Sequence, residues 1–446
     1  MPISKWKKRI LTGVAFVAIL GAINYAADFA LTPYDSMSQT IWRDYRKVNQ
    51  IDMIYVGTSI GNRSYIPATI DRDTGLSSFN LSSNSEQLSD SYQAIQKAIN
   101  EKHIKYVVLN LDYSSKFESV NSMVAYNQAM MEEDSITKKL VNMIAVCRKA
   151  GLHKKESIQV LFPWIFNHVS PNHIISNVKK KLNLPDNDDW HSNPLYYCGR
   201  GAFERYETVD IHTASDRGPK QVYNIKQSAD IFNDKAYKEL ANICKVCKDN
   251  NVELLVAFSP KPFYSVLGLE NGQFEFDNQM RSFLQSFDVP YYDFILLKPR
   301  IYINHDHYFY DFEHPNVIGS INYSLAFADF FNHWKAGEPV DDYFYTPEEY
   351  LQSIHFIDAT YFESKVKGQR MELHGISLNG TGIIPEFEYQ LWDDNSKEYR
   401  TIREYSENPD FTLVPPQKGK YRLRLNVRQA GSSVLQEQYF EKTVSF

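Results

Sequence analysis

Apolar residues follow three patterns along this chain, and each predicts a different kind of element. Near the N-terminus a largely apolar run extends from Ile10 to Ala27, with Asn24 inside it, directly behind Lys5, Lys7, Lys8 and Arg9. Between residues 51 and 334, short continuous apolar runs alternate with segments of helical period. Beyond about residue 352 the period falls to two.

The middle pattern predicts strand following helix. Ile51 to Val56 reads as a first buried strand, after a polar linker with a short helix somewhere between Thr32 and Asn49. Ile66 to Ile70 reads as a short helix with Pro67 near its start. Ser78 to Leu81 is a second strand, and Gln87 to Asn100 carries Leu88, Tyr92, Ile95 and Ile99 at helical spacing. Ile104 to Leu111 (IKYVVLNL) is nearly all apolar, as a central parallel strand is. Ala236 to Lys248 (helix), Val252 to Phe258 (strand), Phe276 to Phe287 (helix), Val289 to Asp293 (strand) and Ile318 to Trp334 (helix) continue the alternation. The expected fold class is α/β, a three-layer α/β/α domain over residues 32–334 with a parallel sheet and helices on its faces. Met131 to Ala150 is a further helix candidate, and 163–218 mixes aromatic, Asn, Pro and Gly residues without period. The stretch 114–230 is therefore read as an insertion or lid over the sheet.

A polar, acidic stretch starting at Lys335 marks a linker over 335–351. Strict alternation follows in Met371 to Asn379, Phe387 to Trp392 and Tyr421 to Arg428, with turn residues at Asn379-Gly380 and Pro415 to Gly419. Short strands of that kind predict a small Ig-like β-sandwich over 352–446. Its Tyr389, Trp392 and Tyr399 could stack on sugars, although core packing is the simpler role for Trp392.

The N-terminal run is near the lower length limit for a bilayer-spanning helix. Its basic flank belongs in the cytoplasm, which puts the remaining domains outside. A cleaved signal sequence is the competing reading. Residues 26–30 offer no clean cleavage site and the run is longer than a usual signal core, so residues 1–31 are read as a retained anchor of a single-pass cell-membrane protein. Either reading exports the chain.

Charge and cysteine content narrow the classes further. The net charge is -6 and the pI about 6.1, with no basic patch outside the N-terminal tail. That argues against nucleic acid as a partner. Only four cysteines occur, too few for a disulfide-stapled scaffold. Cys244 and Cys247 form a CxxC pair on a predicted helix, but no second CxxC exists to complete a metal site, and buried helix cysteines explain them.

Two short pieces far apart carry the candidate chemistry. Gly57-Thr58-Ser59 follows the first strand, where open α/β sheets place their sites. Asp311-Phe312-Glu313-His314 follows a loop rich in aromatics and histidines. A serine needs a base to remove its proton, and imidazole titrates in the right range. An aspartate three residues before the histidine can orient it from Nδ1, leaving Nε2 for the serine. The plainer reading makes Ser59 a helix N-cap and His314 a polar loop residue. A metal site built from Asp306, His307, Asp311 and His314, with His305 nearby, is a rival, although no tight ligand motif is present. No cofactor is implied.

Taken together, the anchor, the strand ending in Gly-x-Ser and the late Asp-x-x-His resemble the SGNH (GDSL-like) hydrolase superfamily. The closer likeness is to its membrane-anchored members, related to the D-alanyl-lipoteichoic acid biosynthesis protein DltD and to polysaccharide O-acetylation proteins. IDMIYVGTS with FNLSSNSEQ resembles the opening of that group, and FYDFEHPNVIGS its closing block, so the likeness covers about 50–115 and 250–332. It implies Ser59 as nucleophile, His314 as base and Asp311 as its orienter. Thr58 departs from the branch's usual Gly-Ser-Ser, and Ile60 stands where His is frequent. The oxyanion donors are not evident. Asn84, in the loop after the second strand, is the best candidate beside the Ser59 N–H, with Asn62 and Asn110 as rivals.

The expected function is an extracytoplasmic serine esterase or O-acyltransferase acting on a cell-wall or exopolysaccharide glycopolymer. The expected partners are that glycopolymer or another acylated carbohydrate, the membrane, and a membrane O-acyltransferase. The alternative is a non-catalytic anchored polysaccharide-binding protein or accessory subunit of such a system.

Overall fold

The computed structural model describes residues 5–112, 124–132, 134–150, 155–186, 190–191, 193–215, 217–220, 233–268 and 272–446. The predicted insertion at 114–230 lies partly outside these residues.

Five strands, β1 (Met53–Gly57), β2 (Ser78–Asn80), β3 (Tyr106–Leu111) and, after a small hairpin of β4 (Tyr196–Gly199) and β5 (Ala202–Glu204), β6 (Glu253–Phe258) and β7 (Tyr291–Asp293), build the first domain. β1, β2, β3, β6 and β7 form one parallel sheet in the order β2-β1-β3-β6-β7. Because side chains alternate along a strand, each strand feeds both faces. Ile54, Val56, Val107, Leu109, Leu254 and Val256 point to one side, where they pack with the helices Leu88–Glu101, Asp234–Asp249 and Gly272–Gln285. Met53, Tyr55, Val108, Leu255 and Ala257 point to the other, against Tyr323, Phe327, Phe330 and Phe331 of the helix Val317–Lys335. This double burial explains why the central strands read as unbroken apolar runs.

The hairpin covers the β2 edge of the sheet. Asn80 donates its N–H to the Arg200 carbonyl at 2.8 Å, and the Arg200 guanidinium donates to the Ser78 carbonyl at 3.0 Å. Cys244 and Cys247 are buried on the inner face of their helix, among the core residues of the first side, and all four cysteines are free.

Residues 335–353 are structured. Tyr343 and Tyr345 exchange backbone hydrogen bonds with Lys298 and Leu296, and the capped helix Pro347–Ser353 buries Tyr350 in the first domain's core. The C-terminal strands are β8 (Ile357–Lys367), β9 (Arg370–Asn379), β10 (Pro385–Asp393), β11 (Glu398–Ser406), β12 (Asp410–Leu413), β13 (Lys420–Gln429) and β14 (Gln438–Ser445). They make two antiparallel sheets, β11-β10-β13-β14 and β12-β9-β8, around Phe362, Leu373, Phe387, Tyr389, Leu425 and Phe440, an arrangement resembling an Ig-like sandwich.

The aromatic residues of the sandwich divide differently from expectation. Tyr389 is the core residue, fully buried, with its hydroxyl on the Pro409 carbonyl at 2.7 Å. Trp392 is half-buried, meets Tyr399 edge-to-face and carries the Arg422 guanidinium 5.0 Å from its ring. A tryptophan on the outward side of a strand packs under arginine stems rather than in the core.

The helix Lys5–Leu31 is apolar and long enough to cross a membrane, and it stands clear of the folded domains over most of its length.

Candidate active site

The site begins with the way β1 ends. Gly57 has φ +143°, and a Cβ there would lie 2.4 Å from the Asn110 carbonyl oxygen of β3, so only glycine lets the chain turn off the sheet at this point. Thr58 then caps the short helix Ser59–Ser64, and Ser59 is its first residue rather than its cap. The buried Thr58 hydroxyl donates to the Asp112 carboxylate at the end of β3 and accepts the Ile60 N–H at 3.4 Å. At its far end the helix is held by Asn80, whose amide donates to the carbonyls of Gly61, Asn62 and Tyr65 at 2.9–3.1 Å. The nucleophile candidate is thus fixed from both β3 and β2.

The second half comes from the loop before the helix Val317–Lys335. Asn316 caps that helix, accepting the N–H groups of Ile318 and Gly319 at 3.1 Å, and its amide ties back to the His307 carbonyl at 2.8 Å. At Gly319 a Cβ would fall 2.1 Å from the Tyr308 carbonyl oxygen, so the helix start and the loop share space that no side chain could enter. Backbone bonds Tyr310 N–H to His314 O (3.1 Å) and Asn316 N–H to Tyr308 O (2.9 Å) close the loop into a tight turn.

These two pieces meet. Ser59 Oγ lies 2.7 Å from His314 Nε2. His314 Nδ1 lies 2.9 Å from Asp311 Oδ2, while Asp311 Oδ1 accepts the N–H groups of Glu313 at 2.9 Å and His314 at 2.8 Å. Asp311 and His314 are buried and Ser59 is partly exposed. Burial alone would push the Asp311 carboxyl up, but the neighbouring imidazole and the two backbone donors outweigh it and hold it below the usual carboxylate range. Such a relay can generate an alkoxide-like serine for attack on a carbonyl.

The remaining candidates separate. Asn62 and Asn110 are buried and engaged. The first donates to the Ser82 and Gly201 carbonyls, and the second accepts from the Ser259 and Tyr65 hydroxyls. Asn84 is exposed in a turn next to Ser83, whose N–H bonds Gly57 O at 3.0 Å, so its loop borders the end of β1. The Ser59 N–H, first in its helix, has no partner within that helix. The four-residue metal set is split. His314 faces Ser59 with Asp311 behind it, while the donor atoms of His305, Asp306 and His307 group within 4.8 Å of one another at the 3-10 turn that opens the same loop.

Some surrounding residues carried no sequence signal. The Tyr310 ring lies against the His314 imidazole, with centroids 5.3 Å apart and planes at 16°. Its hydroxyl accepts from the buried Arg63 guanidinium, and Arg205 and Arg217 approach the same ring at 5.3 and 5.8 Å. Lys261, after β6, is buried 3.7 Å from Glu313. Asp112 was legible only as an acid ending a strand, and Tyr310 only as one more aromatic in a loop full of them.

The sandwich braces this loop from outside. Phe309 O accepts Val209 N–H at 2.9 Å, and a few residues further on the His212 carbonyl accepts Glu441 N–H of β14 at 2.7 Å while its ring stacks on Tyr439 at 4.1 Å.

No protein-family model matches the sequence, and no curated protein matches it. Among solved structures the chain is similar to a protein assigned as an acylhydrolase from Bacteroides fragilis (9% identity, 66% of this chain and 96% of that one, TM-score 0.30). It is also similar to one assigned as a platelet activating factor from Streptococcus pneumonia (10%, 70% and 98%, TM-score 0.32) and to a GDSL-like lipase from Bacteroides thetaiotaomicron (8%, 68% and 100%, TM-score 0.30). At these values no residue role is carried over, and the functional reading below rests on the geometry of the chain itself.

Proposed function

We propose that this chain is an extracytoplasmic serine esterase or O-acyltransferase of the SGNH type, acting on a cell-wall or exopolysaccharide glycopolymer. The observation that carries the proposal is the continuous relay from Ser59 Oγ through His314 to Asp311 at the carboxyl end of a parallel sheet. In the first step Ser59 Oγ attacks an ester or thioester carbonyl and His314 Nε2 takes its proton. The Ser59 N–H and a donor from the Asn84 loop steady the oxyanion. Collapse of the tetrahedral intermediate releases the alcohol or thiol with that proton and leaves an acyl-serine. In the second step His314 takes a proton from water or a polymer hydroxyl, whose oxygen attacks the acyl-serine, and returns it to Ser59. Water gives an esterase and a sugar hydroxyl gives a transferase.

The path from anchor to site supports a membrane-borne acyl donor. Ser38, in the helix Met37–Lys47, contacts Ser83 across 3.3 Å between hydroxyls, and Ser83 bonds Gly57. Leu31 to Ser38 can span at most about 25 Å, so the Ser83 loop lies within that reach of the anchor's end. This proximity fits the branch of the superfamily related to DltD and to polysaccharide O-acetylation, and a membrane O-acyltransferase as partner.

The test treats the full chain in detergent with a fluorophosphonate probe, beside S59A and H314A, and reads intact mass and the labelled peptide. Labelling of Ser59 that needs His314 is expected. A folded wild-type chain that stays unlabelled refutes an autonomous enzyme and leaves the accessory or polysaccharide-binding role.

A further inference from the structure

Among the described residues, the aliphatic side chains that stand free in solvent are not spread evenly. Outside the N-terminal helix, Leu140, Val141, Ile144, Ile158, Ile165 and Ile175 are all exposed within one stretch, Ile175 by 73%. That stretch is also the part of the fold that grips the N-terminal helix. Asn24, the polar residue inside the apolar run, donates to the Leu161 carbonyl at 3.1 Å and accepts the Trp164 indole N–H at 2.7 Å. Val169 N–H bonds Leu31 O at 2.9 Å, the Asn177 amide donates to the Ala30 and Thr32 carbonyls at 2.9 Å, and the Lys181 ammonium reaches Phe29 O at 2.5 Å.

These contacts form a depth gauge. A hydrocarbon core of about 30 Å takes about 20 helical residues. Counted from Ile10, behind the basic cluster, the outer edge of the core falls near Phe29. Asn24 then lies below that edge, where an unpaired amide would be costly. Both ends of its side chain are satisfied by protein, which places Leu161 and Trp164 below the headgroups with it. Ile158 and Ile165 sit in the adjoining elements Lys155–Leu161 and Pro163–Ile165 and are 38% and 43% exposed. The ammonium of Lys181 emerges at the level of Phe29, where headgroups begin; of its neighbours on the helix Ile174–Lys181, Lys180 is turned to Asp35 at 3.2 Å and Lys179 lies 3.6 Å from Asp186.

We infer that residues 155–184 form a shoe that rests in the outer leaflet of the bilayer, its exposed apolar side chains in the acyl boundary and Lys181 at the level of the phosphates. The anchor is then one of two membrane attachments. Rotation of the domain about the anchor is blocked, so its carboxyl sheet edge keeps a fixed tilt to the surface. The inference needs the anchor to be retained and is independent of the chemistry at Ser59.

The test uses the full chain in nanodiscs of phosphatidylglycerol and phosphatidylethanolamine, with no other protein. Nitroxides at I158C, I165C and, as control, I384C of the sandwich are introduced with Cys147 and Cys198 replaced by serine. Oxygen and nickel-chelate accessibility are then read by power saturation. Positions 158 and 165 should show an oxygen-to-nickel accessibility ratio several-fold above position 384, because oxygen partitions into the acyl region and the nickel chelate stays in water. The unmodified chain, photolabelled by a diazirine lipid and mapped by peptide mass, should carry label within 155–184 and none in 357–446. Labels at 158 and 165 as nickel-accessible as 384, or a lipid map empty at 155–184, overturn the inference and leave this face to a membrane-protein neighbour.

Discussion

Replacing Asp311 by asparagine should inactivate the site more thoroughly than removing the side chain. Asp311 Oδ1 is held by two backbone N–H groups, from Glu313 and His314, at 2.9 and 2.8 Å. In the variant that position can be filled only by the amide oxygen, because a donor there would face two donors. The amide nitrogen must then sit where Oδ2 is, 2.9 Å from His314 Nδ1, and donate to it. Nδ1 becomes an acceptor, the ring proton moves to Nε2, and Nε2 now points a hydrogen at Ser59 Oγ. The base is in the wrong tautomer. In serine centres of this geometry that error costs about 10⁴ in rate, about 5.5 kcal/mol of barrier. Asp311→Ala leaves the ring free to choose the useful tautomer and should lose less. The assay is the second-order rate of fluorophosphonate labelling at Ser59 in the full chain, with melting temperature as the check on folding. D311N labelling within about tenfold of wild type at an unchanged melting temperature would refute the tautomer argument.

Other expectations follow from the same contacts. The carboxyl of Asp311 is held below its ordinary value, so its stabilising effect is complete above about pH 4 and fades as pH falls through its lowered folded value; the wild-type advantage over D311N in urea unfolding should close on acidification through that range. Gly57→Ala adds a Cβ at a positive φ and against the Asn110 carbonyl, and should cost roughly 3–4 kcal/mol in chemical unfolding, with loss of Ser59 labelling. Asp358 is buried beside Asp306 and its carboxyl is pushed up to about 7, so the folded state keeps a proton that the unfolded chain gives up near pH 4. Wild-type stability should fall between those values, and D358N, which cannot ionise, should gain over it with rising pH, to a ceiling of about 4 kcal/mol above pH 7, measured as unfolding free energy against pH. Burial pushes the thiols of Cys244 and Cys247 up to about 12 and that of Cys198 up to about 11, so access decides: iodoacetamide at pH 8 should slowly modify exposed Cys198 in the native chain and spare the two core cysteines until it unfolds.

The sequence determined most of the first domain's architecture, because strands buried on both faces must be continuously apolar and amphipathic helices must repeat near 3.6. Ile104 to Leu111 and Val252 to Phe258 could hardly have been anything but central strands, and they pair as β3 and β6. The switch to a period of two likewise announced the antiparallel sandwich. Local geometry was legible where a turn needs a particular residue, as at Gly57, or where an aspartate stands three residues before a histidine it can hydrogen-bond, as at Asp311 and His314.

What only the tertiary structure decided were the relations between distant segments. Ser59 and His314 are 255 positions apart, and no periodicity says that their atoms come within 2.7 Å. The roles of Asn62 and Asn110 were open in the sequence because a buried amide is recognised by its partners, which here lie on segments distant in the chain. The part of Trp392 depended on which face of β10 met the second sheet. In the segment 155–184 several apolar residues, among them Ile158, Ile165 and Ile175, are exposed, while polar ones such as Asn177 grip the end of the N-terminal helix. A pattern of that kind acquires meaning only when the surface it faces is known.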